Sequence, residues 1–594
     1  MIEKNNNYKL IYSGICGYIG TVGLIYYLKI GAANSINFSN NIMFYIICAC
    51  SCMISYYSVQ FITKRKLFFS LLGSVVYSSM CLVGAQIEYL RAMSWTIGTL
   101  LKILCLSVWI FPILIFLFSF LNEYSFKKIK ILEMYISPKC IFLVIFLVWG
   151  LAYLALFPGI YDYDSISQTF QFLVSGEVNG HHPVLHSFLI SFFMEIGKRL
   201  FDSYEIGLGF FTFLQLIFLA YVATRVLNFL QKKNYKRLFL FGNCFYLFFP
   251  LHYIMVMWDT KDTLFTAFFV LVSLELIELI DESTINKFAK YKSIIFVINV
   301  LFMCMIRNNA MYALILLIPL CFLCVKKYRK RIIFLFIMSL VLFGLYQNIL
   351  LPNLGVEAGN KREMLSIPCQ QLAKVYVETP DVFSQEEKEI LFELIPEKNI
   401  MDYQYRPMIS DATKNYLDTD KLMTDLPKYG KLYLEIGLRS PRKYIEAFLQ
   451  NSCGFWYPNK EYPDERMFHP YTEFEMADPN LFGGDYIYLE RHSLFPIYEK
   501  VLKLFSENTI WRRIPLISNF FVPGMYFFVI LLGVGLSFYR KNYEQLFIFC
   551  YWAAYWFTLL ISPVALVRYA YPVIMGLPLM LSLIGNKNFL KREE

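Results

Sequence analysis

The stretch from Phe157 to Leu189 reads FPGIYDYDSISQTFQFLVSGEVNGHHPVLHSFL and lies between long apolar segments. It carries two aspartates and three histidines in a chain that is otherwise strongly hydrophobic. Ionisable side chains are costly at membrane depth, so such a polar cluster is a functional candidate by default. The position of this stretch relative to a membrane therefore decides both the fold and the site.

The composition is that of a polytopic membrane protein. Of the 594 residues, 57% are hydrophobic and 17% are charged, whereas soluble domains hold roughly 25% charged residues. Apolar runs of about 20 residues, long enough to cross a hydrocarbon core of ~30 Å, recur along the chain. The net charge of +10 does not indicate nucleic-acid binding, because the Lys and Arg residues lie mostly in short links between apolar runs.

The apolar runs predict about fourteen transmembrane helices. Their approximate ranges are 10–30, 41–62, 67–87, 96–121, 140–157, 206–230, 237–257, 262–281, 292–306, 308–325, 331–350, 520–539, 544–562 and 568–586. The first run is longer than a signal-peptide core and is expected to be an uncleaved span.

Clusters of basic residues predict the orientation. With both termini in the cytoplasm of a bacterial cell, the links KRK, KKIK, KKNYKR, KYK and KKYRKR all fall inside, as the positive-inside rule requires. This orientation holds only if His182 to Phe201 does not cross the membrane. We therefore expect that segment to be an amphipathic helix on the outer surface of the plasma membrane. An ordinary span is the alternative, since short loops can break the charge bias.

One long polar segment, Pro352 to Asn519, is expected on the outer face as a small helix-rich domain. Ser384 and Glu387 form a capping box before KEILFEL. Ser440-Pro441 is a second helix start, before RKYIEAFLQ.

The 14 cysteines indicate neither a metal site nor a disulfide framework. Most lie inside predicted spans, where thiols behave as small buried hydrophobes. Only Cys369 and Cys453 lie in the polar outer segment, and their spacing does not support a disulfide between them.

The predicted topology brings polar residues that are far apart in sequence to one face of the membrane. They are Asp162, Asp164, His181, His182 and His186 in the first outer loop, Asp259, Lys261 and Asp262 at the next outer turn, Arg307, Asn308 and Asn309 at the one after, and Arg568 and Tyr569 at the start of the last span. This convergence favours a functional site.

Each of these residues alone has an ordinary interpretation. The two aspartates of the first loop could be plain loop residues, and the arginines could be interfacial anchors. Asp259 and Lys261 could form an exposed turn with an ion pair of little worth. His182 and His186 have the spacing of a metal site but lack a third ligand, so surface or packed histidines are the simpler interpretation.

The group suits chemistry on a lipid-linked phosphate. Arginine forks and amide donors bind an anionic headgroup, and Arg307, Asn308 and Arg568 could supply them. Transfer of a sugar to a hydroxyl also needs a carboxylate that takes the proton of the acceptor, a contribution of roughly 10²–10⁴-fold. Asp164 or Asp162 fits that role. No nucleotide-sugar site is evident.

The motifs FPGIYDYDSISQ, HHPVLHSFL, WDTKDTLF, RNNAMY and RYAYP together resemble the GT-C superfamily of integral membrane glycosyltransferases. The likeness is to bacterial relatives of protein O-mannosyltransferases and lipid A aminoarabinose transferases, and it covers about residues 140–586. It implies an acidic general base soon after a span, an HPP-like stretch that opens a surface helix, and a polyprenyl-phosphate sugar as donor.

The resemblance implies roles for individual residues. Asp164 is the first candidate for the base and Asp162 the second, and HHPV takes the HPP position with Val184 in place of the second proline. The donor phosphate is expected to meet Arg307, Asn308, Arg568 and Tyr569. The pocket is expected to include Gln168, His181, His182, Asp259, Lys261 and Asp262.

The sequence departs from the superfamily in one respect. An acidic pair such as Asp-Glu is usual there, whereas this chain has Asp-Tyr-Asp, which leaves the choice between Asp162 and Asp164 open. Some members use a divalent cation held by acidic residues of outer loops, and Asp259 or Asp262 could hold one here; other members work without a metal.

The expected function is an inverting glycosyltransferase that moves a sugar from polyprenyl phosphate to a cell-envelope polysaccharide, teichoic acid, glycolipid or protein. The expected parts are a four-span extension (1–121), a GT-C-like module (122–351) with its first outer loop at 158–205, the outer domain (352–519) and three final spans (520–594). A flippase for lipid-linked saccharides would instead need charges near the midplane and inverted repeats. A non-catalytic scaffold would leave the aspartate-rich loop unexplained.

Overall fold

The computed structural model describes residues 2–31, 42–123, 135–281, 290–401, 405–461, 474–480, 483–507, 514 and 516–585. Within these ranges the chain consists mainly of α-helices joined by short loops, as predicted. The helices of at least eight residues are, in chain order, α1 (Ile2–Gly31), α2 (Ile42–Ser58), α3 (Lys64–Ala85), α4 (Ile97–Glu123), α5 (Pro138–Leu156), α6 (Tyr163–Phe170), α7 (Val184–Phe201), α8 (Tyr204–Lys232), α9 (Lys236–Phe248), α10 (Pro250–Met257), α11 (Lys261–Ile280), α12 (Lys290–Ile306), α13 (Asn309–Cys324), α14 (Arg329–Leu345), α15 (Ser366–Glu378), α16 (Gln385–Leu394), α17 (Leu426–Arg439), α18 (Pro441–Asn451), α19 (Pro496–Glu507), α20 (Pro523–Arg540), α21 (Tyr543–Leu560), α22 (Val567–Met575) and α23 (Leu577–Ile584).

Several of these helices are long and apolar enough to cross a membrane. In the described ranges nine qualify singly, and two bent pairs raise the number to eleven. The pairs are α9 with α10, bent by 57°, and α22 with α23, bent by 50°. Pro250 and Pro578 lie in the first turn of the second helix of each pair, where proline interrupts the helical hydrogen bonds. The chain is therefore a multi-pass helical membrane protein.

The predicted count of fourteen spans stays a prediction. All fourteen predicted ranges coincide with described helices, but α12, α13 and α21 are not among those that qualify. The first two have only 17 and 16 residues, and α21 begins with the polar run Tyr543-Glu544-Gln545.

The first four helices pack closely on one another through small residues. An added Cβ at Gly20 of α1 would lie 2.8 Å from the Cα of Trp109 on α4. Glycine at such a position lets two helix backbones approach, which is how membrane helices gain packing contacts. The ring of Tyr539 on α20 contacts both Phe69 of α3 and Phe118 of α4, so the extension docks on the C-terminal spans.

The segment predicted to be a surface helix forms α7. It packs against α8 where Gly197 and Gly207 meet, and a Cβ on either glycine would overlap the backbone of the other helix. His186, on the same side of α7, is buried, while Phe188 and Phe192 are exposed on the other side. The amphipathic helix is confirmed; its position on a membrane surface stays a prediction.

The polar segment is rich in helices, as predicted. Helices α15 to α18 enclose a hydrophobic core of their own, separate from the core of the membrane helices. The capping box of Ser384 and Glu387 is confirmed, and Pro441 opens α18, although the Ser440 side chain makes no capping hydrogen bond. Cys369 and Cys453 are both free thiols.

Two later stretches of the same segment pack on membrane helices instead. Lys460 forms an ion pair with Glu88, at the end of α3, at 2.9 Å, with both side chains fully buried. Residues 474–480 and 483–494, which we call the covering segment, lie against α5 and α6. Helix α19 follows the covering segment and buries Leu502 in the core of the membrane helices.

Candidate active site

Asp162 begins the helix that carries the predicted base. It is the N-cap of α6, and its Oδ1 accepts hydrogen bonds from N and Oγ of Ser165, each at 3.1 Å. A carboxylate suits this position because the first N–H groups of a helix lack partners and carry partial positive charge. Asp164 follows in the first turn of α6.

The loop before α6 pairs with the loop between α10 and α11. Ile160 and Trp258 form a parallel β-bridge, and Gln215 of α8 donates to the carbonyl oxygen of Trp258 at 3.0 Å. This pairing brings Asp259 beside α6, where its Oδ1 accepts a hydrogen bond from Ser165 Oγ at 2.7 Å. Two aspartates almost a hundred residues apart thus share one serine hydroxyl.

Arg568 holds the centre of the site. Its Nη1 donates to Asp162 Oδ2 and its Nη2 to Asp164 Oδ2, both at 2.9 Å. Trp258 Nε1 donates to the same Asp162 oxygen at 2.9 Å, and the Trp258 ring lies 5.3 Å from the guanidinium. The remaining Nε of Arg568 is 3.6 Å from Asp262 Oδ2 and has no hydrogen-bond partner in the described chain.

A second ion pair lies beside the first. Arg307 Nη1 donates to Asp262 Oδ1, and both side chains are buried. The ring of Tyr569 lies near both guanidinium groups, 4.4 Å from that of Arg307 and 5.4 Å from that of Arg568. An aromatic face attracts cations, so Tyr569 lets two buried arginines lie close together.

Asp164 and Lys261 are the accessible members, with side chains 14% and 17% exposed. Lys261 Nζ lies 3.7 Å from Asp164 Oδ2 and 3.3 Å from Nδ1 of His182. Burial, and then the charge of Lys261, lowers the pKa of His182 to about 3. His182 is therefore neutral, and if Nδ1 accepts from the ammonium group, the ring proton is on Nε2.

The pKa values of two of the aspartates shift in opposite directions. Although burial acts to raise it, Lys261 and Arg568 hold the pKa of Asp164 well below its ordinary value. Burial, together with the charge of Asp162, raises the pKa of Asp259 well above its ordinary value. Asp164 is thus ionised at neutral pH, whereas Asp259 holds a proton more readily than an ordinary aspartate does. Asp259 Oδ2 has no hydrogen-bond partner within the described ranges.

Seven predicted residues therefore form one continuous group, which we call the charged cluster. They are Asp162, Asp164, Asp259, Lys261, Asp262, Arg307 and Arg568. His182 and Tyr569 contact this cluster directly. The charged cluster thus offers an ionised carboxylate, that of Asp164, beside the cations of Lys261 and Arg568 at the edge of a buried network of ion pairs.

Three other predicted residues have different contacts. Gln168 is buried between α6 and α7, where its Oε1 lies 2.7 Å from Nδ1 of His186. Asn308 accepts a hydrogen bond from Gln347 Nε2 at 3.2 Å. His181 is exposed at the edge of the site, and its backbone N donates to Asn179 Oδ1 at 3.1 Å.

Three residues of the site were not predicted. Ser165 joins two aspartates, Trp258 binds Asp162 and faces Arg568, and the hydroxyl of Tyr163 accepts from Arg568 Nη2 at 3.2 Å. Asp162 is a preferred N-cap residue, which could have predicted that α6 begins there and that the amide of Ser165 meets its carboxylate. The roles of Trp258 and Tyr163 depend on tertiary contacts alone.

The sequence leaves open whether the site binds a metal ion. In the described ranges no three His, Cys, Asp or Glu side chains are arranged to hold one. Asp162 and Asp262 are instead bound by arginine, and His186 contacts Gln168 rather than His182.

The comparisons with known proteins give a family. A family model described as "Family of unknown function (DUF6020)" matches residues 174–589, which is more than two thirds of the chain. The matched part contains Asp259, Lys261, Asp262, Arg307 and Arg568 and begins ten residues after Asp164. No curated protein and no solved structure matches the chain. The chain belongs to the DUF6020 family.

Proposed function

We propose that the charged cluster is the active site of a GT-C-type glycosyltransferase that uses a polyprenyl-phosphate sugar as donor. The observation that carries this proposal is an ionised and partly accessible Asp164 held between two cations, Lys261 and Arg568. A carboxylate can take the proton of an acceptor hydroxyl, and cations can stabilise a departing phosphate. One small site thus holds both kinds of group that the transfer needs.

Asp164 suits the role of base better than Asp162. Both oxygens of Asp162 are engaged, Oδ1 by Ser165 and Oδ2 by Trp258 and Arg568. The ion pairs of Asp164 both use Oδ2, so Oδ1 is the oxygen that an acceptor hydroxyl would approach. Asp162 then acts as a positioning residue, which holds α6 and Arg568 in place.

The proposed reaction is a single displacement with inversion. The acceptor oxygen forms a bond to the anomeric carbon while the bond from that carbon to the phosphate oxygen breaks, and the bonding pair leaves with the phosphate. The hydroxyl proton passes to Asp164. Lys261, with its side chain 17% exposed, is the cation that the phosphate can reach directly, because Arg307 and Arg568 are both buried and paired with carboxylates.

The location of the cluster supports this reaction. Its members lie at the ends of predicted spans, at the start of α11 and of α22 and next to the end of α5. A membrane-embedded donor presents its phosphate at that depth. Under the predicted orientation this is the outer face of a bacterial plasma membrane, where a polyprenyl phosphate rather than a nucleotide carries the sugar and the acceptor is a cell-envelope component.

The test compares aspartate variants in a transfer assay. Membranes that contain the chain are supplied with radiolabelled polyprenyl-phosphate sugars, and label is counted in the acceptor fraction. We expect Asp164→Asn to lower the transfer rate by about 10²–10⁴-fold, the usual contribution of a general base. Asp162→Asn should lower it less, because asparagine still caps a helix.

Asp202→Asn is the matched control. Asp202 is exposed, pairs with Lys198 alone among the described residues, and has a left-handed backbone that asparagine also adopts readily. This variant should keep the wild-type rate. Full activity of Asp164→Asn would show that Asp164 is not the base.

A further inference from the structure

Helix α19 has two apolar sides. On one side Tyr498 and Leu502 pack on the membrane helices, Tyr498 against the ring of Tyr253 on α10. On the other side Ile497, Val501 and Leu504 are exposed, Ile497 by 74% and Leu504 by 61%. Large apolar side chains exposed in a row along a helix indicate that something covers them.

Backbone hydrogen bonds fix the depth of this helix relative to a span. The amide N of Leu494, two residues before α19, donates to the carbonyl oxygen of Leu154 at 2.8 Å. Leu154 lies in the last turn of α5, which is a membrane span by length and composition. The start of α19 is therefore level with the end of the apolar part of a span.

The exposed row of α19 continues an apolar surface that must face lipid. Along α5 the residues Leu143, Leu147, Leu151 and Leu154 are exposed on one side of the span. Leu494 joins that stripe at its last member and is itself exposed. A span inserts with such a stripe against acyl chains, and α19 extends the same surface sideways.

The charged residues of α19 fit the same placement. Lys500 is exposed beside Val501, and a lysine stem of this length can carry its ammonium group to a headgroup while the stem stays in apolar surroundings. Glu499 and Lys503 face the covering segment, where they pair with Arg491 at 3.5 Å and Glu475 at 2.5 Å. Helix α19 thus has one side that packs on the membrane helices, one edge with charged residues and one exposed apolar side.

We propose that α19 lies in the membrane surface, with Leu494, Ile497, Val501 and Leu504 in contact with phospholipids of the leaflet next to the charged cluster. The helix anchors the covering segment, which packs on α6 through the stacked rings of Tyr486 and Phe170, 4.3 Å between centroids. It adds a second amphipathic surface helix to the one predicted for α7, and it lies within a segment whose composition predicts an outer domain.

Photocrosslinking tests this contact. A benzophenone amino acid is placed singly at Ile497 or at Leu504 of the full chain, and the protein is reconstituted in vesicles of phosphatidylethanolamine and tritiated phosphatidylglycerol. Leu147 in the middle of α5 is the lipid-facing control. Leu438 on α17 is the matched exposed control, since it is 82% exposed and lies on a helix of the separate group formed by α15 to α18.

The three possible outcomes are distinct. We expect tritium on the chain at positions 497 and 504 at a level close to that at 147 and several-fold above that at 438. Tritium at the level of position 438 would overturn the proposal. A crosslink from 497 or 504 to a second protein chain, in place of lipid, would overturn it as well and identify that face as a protein interface.

Discussion

At the scale of single residues, Arg568 connects the charged cluster. It binds Asp162 and Asp164 through separate nitrogens, and the rings of Trp258 and Tyr569 lie within 5.4 Å of its guanidinium. Replacement of a buried arginine that pairs with several carboxylates is costly, because all of those carboxylates lose their countercharge at once.

Arg568→Gln should therefore destabilise the folded protein. Removal of one partner of a buried ion pair costs about 3–5 kcal/mol, and we expect a lower unfolding temperature in detergent micelles together with loss of transfer. Arg568→Lys should recover only part of the stability, since an ammonium group cannot bind two carboxylates with a planar fork.

The control for this comparison is Arg199→Gln. Arg199 forms an exposed pair with Glu195 on α7, and exposed pairs contribute about 0–1 kcal/mol. If Arg568→Gln unfolded at the same temperature as Arg199→Gln, the cluster would not be the buried network described above.

A second prediction at this scale concerns pH. Lys261 is one of the cations that hold the pKa of Asp164 below its ordinary value. In Lys261→Met that charge is gone, so the pKa of Asp164 rises and the carboxylate is protonated at a higher pH. The acid limb of kcat/KM against pH should then move to higher pH than in the wild type.

Lys198→Met serves as the comparison, because Lys198 is an exposed residue of α7 that pairs with Asp202. Its acid limb should coincide with that of the wild type. An unchanged acid limb in Lys261→Met would mean that the protonation of Asp164 does not limit the reaction.

Only some of the residues of the site could be predicted from the sequence. Asp164, Lys261, Arg307 and Arg568 follow from topology, because charges at the same end of several spans must lie near one another. Ser165 as the bridge to Asp259 does not follow, since that contact depends on the pairing of two loops. Sequence patterns also do not show that both arginines are already bound to carboxylates.

At the scale of elements, the contact between α7 and α8 positions one wall of the site. Gly197 and Gly207 let the two helix backbones touch. This contact holds α7 beside α6, where His186 meets Gln168, and it places His182 against Lys261 at the start of α11. Close packing of this kind leaves no room for a methyl group.

Gly207→Ala should accordingly destabilise the protein by about 1–3 kcal/mol, the usual cost of overpacking. The added Cβ would overlap the carbonyl oxygen of Phe193 and the Cα of Met194. Equilibrium unfolding in detergent measures the loss, and the transfer rate should fall as α7 moves.

Gly150→Ala is the matched control within another helix. Among the described residues no atom outside its own helix backbone and chain neighbours lies within 4 Å of the Cβ that it would add, and alanine stabilises a helix interior by roughly 0.5–1 kcal/mol relative to glycine. If Gly207→Ala were as stable as Gly150→Ala, that result would contradict the close contact of α7 and α8.

The positions of the helices were easier to predict than the bends within the spans. The apolar runs locate the helices because each must satisfy its own backbone in lipid. The bends before α10 and α23 lie at Pro250 and Pro578, and the periodicity of apolar residues, which continues across each proline, does not record them. The sequence does not predict a surface helix at α19, because a short helix with apolar residues inside a polar segment resembles part of the core of a soluble domain.

At the scale of the whole molecule, orientation decides what the site can meet. The basic links between spans predict that the charged cluster lies outside and that Lys232, at the end of α8, lies inside. The same orientation requires that α7 does not cross the membrane.

Cysteine labelling tests that orientation. Glu195→Cys should react with a membrane-impermeant maleimide added to intact cells, whereas Lys232→Cys should react only after permeabilisation. The signal is taken relative to the chain without either substitution, which has 14 cysteines of its own. Reaction at 232 but not at 195 in intact cells would reverse the orientation and place the charged cluster in the cytoplasm.

The central claim is that the charged cluster transfers a sugar from polyprenyl phosphate, and purified protein tests it most directly. The wild-type chain, Asp164→Asn and Asp202→Asn are each added to acceptor-containing membranes that lack the chain, with radiolabelled polyprenyl-phosphate sugars as donors. We predict transfer of label by the wild type and Asp202→Asn, and a rate about 10²–10⁴-fold lower for Asp164→Asn. Equal transfer by all three proteins, or none from any polyprenyl-phosphate sugar, would contradict it.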